Sequence, residues 1–356
     1  MRLIAGQRNR LPLPQGLLYI EPDFCRTNIA HGGQTMPETG ETPEPQGQVF
    51  DAYKGNWVDS DAPEWTRPYL RLSRADRPIG TWLLLLPCWW SITLAAASTG
   101  FLWLDLWLFV GTAIGAVLMR GAGCTWNDIT DRDFDGEVAR TRSRPIPSGQ
   151  VTVRGAMVWL VVQCLVAFAI LLTFNWNAIA MGIGSLALVA IYPFAKRFTY
   201  WPQVFLGLAF NWGALLLWVA HTGTLGWPAV LLYLSGIAWT IFYDTVYAHQ
   251  DKEDDALIGV KSTALLFGAQ TGRILHRFLL LSVALMTMAV FLALVGNSSG
   301  AGLFVALLGV AGFAGHLYWQ LSRLDTEDGA TCLSLFRSNR DAGLIPVLFF
   351  GLAVLG

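Results

Sequence analysis

Charge is what this chain has least of. Of 356 residues only 24 are Lys or Arg and 25 are Asp or Glu. That is 14% charged, against roughly 25% in an ordinary soluble domain, with 54% hydrophobic. The deficit excludes a soluble globular domain and makes this a membrane protein. Cysteine is scarce as well: Cys25, Cys88, Cys124, Cys164 and Cys332 are odd in number, scattered and mostly set in apolar runs. Without paired spacing they offer neither a zinc site nor a disulfide frame, and they read as small buried hydrophobes. The net charge of −1 conceals the distribution that matters, and no nucleic-acid partner is expected.

Residues 1–65 lack apolar periodicity and are rich in Pro, Gly, Thr and acid, so they are expected to form a disordered N-terminal tail. Arg2, Arg8 and Arg10 with no acid among the first twenty residues faintly resemble a mitochondrial transit peptide, although serine is sparse; Met36 is an alternative start. Residues 66–356 are the expected membrane domain. It opens with Arg67, Arg71, Arg74 and Arg77, whose spacing predicts one basic stripe on a short surface helix facing anionic headgroups.

Nine apolar runs approach the length of a bilayer core: Ile79–Ala97, Phe101–Met119, Gly155–Phe174, Ala178–Phe194, Val204–Ala220, Trp227–Phe242, Leu279–Val295, Ala301–Trp319 and, shortest, Ala342–Leu355. Backbone in lipid must satisfy its own polar groups, so these runs are helical. The connections after the odd-numbered runs hold no Lys, Arg, Asp or Glu, whereas those after the even-numbered runs hold nearly all the charge. By the positive-inside rule the charged side is cytoplasmic or, in a mitochondrion, matrix-facing. Tryptophans near run ends, including Trp82, Trp90, Trp103 and Trp227, read as an interfacial belt.

Two acidic clusters stand on that charged side. In Asn127-Asp128-Ile129-Thr130-Asp131-Arg132-Asp133-Phe134-Asp135, spacings of three and four put Asp128, Asp131 and Asp135 on one helical face. Three such carboxylates repel one another unless a cation sits among them; hard oxygen ligands suit Mg2+, and Asn127 adds an amide. Asp244, Asp251 and Asp255 repeat the pattern within Tyr243–Asp255. Two facing metals would clamp a diphosphate and neutralise it as it leaves. Arg132, Lys196, Arg197, Lys252 and Lys261 are cations able to hold phosphate oxygens. A diphosphate site at a membrane surface points to a lipid diphosphate.

The first cluster, with Arg142-Ser143-Arg144-Pro145, resembles the first signature of the UbiA superfamily of intramembrane aromatic prenyltransferases. Tyr243 to Asp255, continued by Ile258 to Ala264, resembles the second signature of its 4-hydroxybenzoate branch; Arg77-Pro78-Ile79-Gly80 and Tyr192 to Arg197 resemble that branch too. The resemblance implies an all-α membrane protein of nine transmembrane helices bundled around a central cavity, with both Asp-rich motifs on the cytoplasmic side. It implies Mg2+-dependent transfer of a polyprenyl group from polyprenyl diphosphate to the ring of 4-hydroxybenzoate, a step of ubiquinone synthesis, within membrane lipid. Carried onto this chain, Asn127, Asp128, Asp131 and Asp135 hold one metal and Asp251 and Asp255 the other, with Asp244 assisting. Arg132, Lys196 and Arg197 bind diphosphate. Tyr192, Tyr243, Tyr247 and Trp126 offer π surfaces to an allylic cation, and Arg74, Arg77 and Arg120 compete for the benzoate carboxylate. His249 is a possible proton acceptor but reads better as an exposed loop residue.

The membrane expected is the bacterial inner membrane or, alternatively, the mitochondrial one. Other readings are a relative acting on a haem, menaquinone or chlorophyll precursor, a CDP-alcohol phosphotransferase and a divalent-cation transporter. The phosphotransferase draws on Asp135-Gly136-Glu137-Val138-Ala139-Arg140, but Arg132, Val153 and Met157 replace its other aspartates. A transporter needs acids inside the membrane, and Asp105 is the only acid within a run.

Overall fold

The computed structural model describes residues 52, 55–137, 141–257 and 259–356, leaving aside the side chains of Phe134, Glu137, Asp251, Asp254 and Asp255. Among the described residues there are helices and no strand. A short α1 (Trp57–Ser60) and α2 (Arg67–Leu72) precede α3 (Ile79–Thr99), α4 (Trp103–Glu137), α5 (Val153–Leu171) and α6 (Trp176–Phe198). Then come α7 (Pro202–Phe210), α8 (Trp212–Thr222), α9 (Trp227–Ala248), α10 (Lys252–Leu257), α11 (Thr263–Phe267), α12 (Thr271–Leu294), α13 (Gly300–Ser322) and α14 (Gly329–Ala353).

Eight helical spans are long and apolar enough to cross a membrane, so the chain is a multi-pass membrane protein. The ninth expected run is the second half of α14, whose first half carries Arg337, Arg340 and Asp341 and keeps that helix outside the set of eight. The fifth run is two helices, α7 and α8, broken at Asn211. There the side-chain amide donates to the Gly207 carbonyl and to Thr240 Oγ1, both at 2.8 Å. Side-chain oxygens cap the free N–H groups at several starts: Thr152 accepts from Gly155, Asn175 from Ala178 and Ser299 from Gly302.

The longest helix sets up the site. At 35 residues α4 is roughly 50 Å long, well beyond the hydrocarbon core, so its last turns carry Asp128 to Asp135 out of the apolar layer. The core gathers α3, α9, α13 and α14 around Trp90, Trp239 and Phe313, with the Trp90 and Trp239 rings 5.0 Å apart. Trp90 is fully buried and donates to the Gly343 carbonyl at 2.6 Å, so it is a core anchor and not a belt residue, unlike the exposed Trp103 and Trp227.

The basic stripe on α2 turns inward. Arg71 and Arg74 are buried, Arg71 on Asp59 at 2.8 Å and Arg74 on Asp128 at 2.6 Å, because a carboxylate partner in a poorly solvated site outweighs headgroup attraction at the surface. The α1 helix falls within residues 1–65, and its Val58 is fully buried; the rest of that expected tail, apart from residues 52 and 55–65, lies outside the described residues.

Asp105 has a structural role. Its Oδ1 meets His221 Nδ1 at 2.6 Å, its Oδ2 accepts from the Leu102 N–H at 2.8 Å, and His221 Nε2 meets Thr99 Oγ1 at 2.8 Å. This pins the ends of α3, α4 and α8 together and occupies the acid the transporter reading would need. Asp105→Ala leaves a buried imidazole and a backbone N–H without their partner, an expected loss of about 2–3 kcal/mol. A lower melting temperature, with unchanged turnover per folded molecule, is the result to look for in a thermal melt.

Candidate active site

A cavity of about 610 Å³ runs into the bundle from the ends of α4, α9 and α14. Its mouth is polar, lined by Arg74, Arg77, Arg120, Asn127, Arg144, Tyr192, Asp244, Tyr247 and Arg337. Its body is apolar, walled by Leu83, Leu84, Gly111, Gly115, Ala116, Phe168, Leu171, Phe174, Gly182, Leu186 and Leu217. Space comes from small residues. A Cβ added at Gly115 would meet nothing within 4 Å. Cys88, Cys124 and Cys164 also line it; among the described residues all cysteines are free thiols.

Asp128, Asp131 and Asp135 of α4 are buried as a set, with Asp128 and Asp131 wholly inaccessible. Burial of three like charges demands compensation, and arginine and lysine supply it. Asp128 takes Arg74 and, at 3.5 Å, Arg144; Asp135 takes Arg144 at 2.7 Å. Asp131 holds Lys196 on one oxygen and Arg197, at 3.3 Å, on the other. Asp128 Oδ2 is buried without a hydrogen bond. Burial pushes the Asp135 carboxyl above its ordinary pKa even with Arg144 beside it. Burial likewise pushes Asp76 up to about 6, with Arg74 opposing, and pulls Arg77 down to about 10. Arg77 lies 3.4 Å from Asp76 and lines the mouth of the cavity.

The structure sorts the expected residues. Asn127, Arg77, Arg120, Tyr192, Tyr243, Asp244 and Tyr247 line the cavity. Tyr247 lies 4.5 Å from Phe336 with the rings tilted by 40°, and Tyr243 lies 5.9 Å from the same ring, forming an aromatic wall. The Arg120 guanidinium lies 5.3 Å over the Phe210 ring and has a buried Nε that makes no hydrogen bond. Gly80 makes room for it: an added Cβ would stand 2.6 Å from Arg120 Nε and Nη2.

Other candidates lie elsewhere. Arg132 is half exposed beside Asp133 at 3.3 Å and is not among the cavity-lining residues, although positions 128, 132 and 135 share a side of α4. Lys252 pairs with Glu327 at 3.8 Å, and Lys261 lies over the Tyr200 ring at 5.4 Å. Trp126 donates to the Ala190 carbonyl at 3.4 Å and is not among the cavity-lining residues. His249 is buried rather than exposed, its Nε2 3.1 Å from Thr271 Oγ1, and burial, with Lys252 nearby, lowers its pKa. Asp244, Asp251 and Asp255 do not lie on one continuous helix: α9 ends at Ala248, and a 3-10 turn (His249–Asp251) precedes α10. The side chains of Asp251 and Asp255 lie outside the described residues, as do residues 138–140 of the phosphotransferase-like stretch and Ile258. Among the described residues no three acid, imidazole or thiol groups are gathered as a ready metal-ligand set.

Compared with known proteins, residues 84–341 match the model of the UbiA prenyltransferase family. The chain belongs to that family. Similar proteins include two named "4-hydroxybenzoate polyprenyltransferase, mitochondrial". That of Homo sapiens is 50% identical over 92% of this chain and 84% of its own length. That of Arabidopsis thaliana is 47% identical over 85% and 72%. Among solved structures, a UbiA homolog from Archaeoglobus fulgidus bound to GPP and Mg2+ matches with a TM-score of 0.58 at 19% identity, covering 81% of this chain and 99% of that one. An apo UbiA homolog from Aeropyrum pernix K1 matches at 0.59 and 21%, covering 77% and 96%. The bundle described above is thus the UbiA fold. Family membership removes the phosphotransferase and transporter readings.

Two parts of the site went unpicked in the sequence. Arg144 was visible within the trailing Arg142 to Pro145 stretch of the first signature, but only the fold shows that it bridges Asp128 and Asp135. Arg337, on α14, carries no sequence signal that would separate it from the other charges of Arg323 to Asp341.

Proposed function

We propose that this protein transfers a polyprenyl group from polyprenyl diphosphate to the ring of 4-hydroxybenzoate, the prenylation step of ubiquinone synthesis. One observation carries the geometry: a single cavity joins an arginine-rich mouth to an apolar body, which suits a diphosphate head and a prenyl tail and leaves room beside them for an aromatic acid. The names of relatives near 50% identity favour 4-hydroxybenzoate over haem, menaquinone and chlorophyll precursors as acceptor. The same names favour the mitochondrial inner membrane over the bacterial one.

The residues fit a divalent metal. Asp128 Oδ2 is a buried carboxylate oxygen with no hydrogen bond, on the last turns of α4, which also hold Asn127, Asp131 and Asp135. Mg2+ would be held by Asn127, Asp128, Asp131 and Asp135, and a second ion by Asp251 and Asp255. When bound, the metal supplies charge neutralisation for the leaving diphosphate. The protein's own cations do the rest of that work: Arg77, Arg144, Lys196 and Arg197 bind phosphate oxygens and orient the allylic carbon toward the aromatic wall. Tyr243, Tyr247 and Phe336 shield the developing allylic cation from water and offer it their π faces. With Arg74 engaged by Asp128, the benzoate carboxylate goes to Arg120, whose Nε has a free proton to donate. The ring carbon beside the phenol then forms the new C–C bond, and Asp244, near Arg120, accepts the ring proton.

Gly80→Ala should push the Arg120 guanidinium aside and raise KM for 4-hydroxybenzoate about tenfold, with KM for polyprenyl diphosphate and the melting temperature little changed. The acceptor itself is tested by giving membranes that contain the protein one polyprenyl diphosphate, Mg2+ and a panel of phenols with and without a para carboxylate. Preference for 4-hydroxybenzoate is expected; a better decarboxylated phenol or dihydroxynaphthoate would reject the assignment.

A further inference from the structure

Residues 56–78 precede the family-matched stretch, yet they reach into the carboxylate cluster. Arg74 is the only non-glycine residue among those described with a positive φ, +59°, a left-handed conformation that side chains bearing a Cβ disfavour. Such a conformation persists only where its surroundings over-determine it. Here they do. Arg74 Nη2 donates to Asp128 Oδ1 at 2.6 Å, and Nη1 donates to the Arg71 carbonyl at 3.2 Å. Arg71 is itself clamped, its Nε and Nη2 donating to Asp59 Oδ1 at 3.2 and 2.8 Å. The Trp57 indole donates to the Ala75 carbonyl, one residue beyond Arg74, at 3.2 Å, and Val58 and Leu72 are fully buried.

We infer that Arg74 is a positioning residue: the α1–α2 latch holds it in the left-handed turn so that its guanidinium fixes the rotamer of Asp128 and leaves Oδ2 as the oxygen that meets a cation. The segment before the family-matched stretch is then part of the catalytic unit. Lysine cannot substitute fully, because a flexible point charge loses the planar donor set that spans Asp128 and the Arg71 carbonyl at once. This inference rests on the reading of Asp128 as a metal-holding residue, and it has a distinctive sign. A guanidinium that merely competes with the metal for Asp128 would, on removal, let Mn2+ bind more tightly. One that positions the carboxylate would, on removal, let Mn2+ bind more weakly, as loss of an outer partner of a ligand does.

The test is Mn2+ titration of the purified full chain in detergent, without substrate, followed by electron paramagnetic resonance. Arg74→Gly keeps the backbone conformation without strain and loses the pair; it should melt near the parent temperature and bind Mn2+ about tenfold more weakly. Arg74→Lys should recover part of that loss. Arg71→Ala should show a smaller one, and the Arg71→Ala/Arg74→Gly double variant should be no weaker than Arg74→Gly, since both act through one pair. Asp128→Asn separates the two claims. If it binds Mn2+ like the parent, the metal-site reading fails and takes this inference with it. If it binds weakly while a folded Arg74→Gly binds as well as the parent or better, positioning by Arg74 is wrong and the metal site stands. Full additivity of the double variant would overturn the latch.

Discussion

Asp131→Ala should lower prenyl transfer by at least about a thousandfold, since metal charge stabilisation is worth several kcal/mol and Asp131 belongs to the carboxylate set. The structure adds a second expectation. Asp131 neutralises Lys196 and Arg197, so its removal leaves two cations without that partner. Polyprenyl diphosphate should then bind at least as well as before, and the loss should fall on kcat rather than KM. Asp133→Ala is the control. That side chain is 82% exposed and pairs with Arg132 away from the cavity, so activity within about twofold of the parent is expected, as for other surface substitutions. Steady-state kinetics with varied diphosphate separate the cases: a large rise in KM at constant kcat would mean that Asp131 serves binding alone.

Gly115→Leu should divide substrates by tail length. Gly115 lines the apolar body of the cavity and an added Cβ there meets nothing within 4 Å, so the leucine is expected to occupy space that the tail needs. Long polyprenyl diphosphates should lose kcat/KM by roughly tenfold or more, in line with steric discrimination in apolar pockets, whereas dimethylallyl or geranyl diphosphate should react as before. Competition between a short and a long diphosphate, read by product mass, gives the ratio directly. An unchanged ratio would place the tail outside the Gly115 channel, against lipid.

These two residues also mark what a sequence discloses. The three-and-four spacing of Asp128, Asp131 and Asp135 was readable because a helix converts spacing into a shared face, and burial of all three agrees with that reading. The channel was not readable. Gly115 is an ordinary glycine in an apolar helix until packing shows that its neighbours stand away from it, whereas Ile170 closes on Gly111 and Leu171 on Gly182. Arg71 and Arg74 were misread as lipid-facing because periodicity gives a stripe but not its direction, and the carboxylate that turns Arg74 inward is 54 residues away. Asp105 and His221 sit 116 residues apart, and no local pattern pairs them. The spacing of Asp244, Asp251 and Asp255 suggests one helical face, yet α9 ends at Ala248 and a 3-10 turn follows, and spacing alone does not reveal such a break.

The proposed function requires one cavity to bring a polyprenyl diphosphate and an aromatic acid together. Its most direct measurement is mass-spectrometric detection of product from the purified protein in lipid nanodiscs with labelled 4-hydroxybenzoate, a polyprenyl diphosphate and Mg2+. The expected product is 3-polyprenyl-4-hydroxybenzoate, prenylated on ring carbon, dependent on Mg2+ and lost with Asp128→Asn. An O-prenylated product, or ring prenylation that persists undiminished in Asp128→Asn, would contradict it.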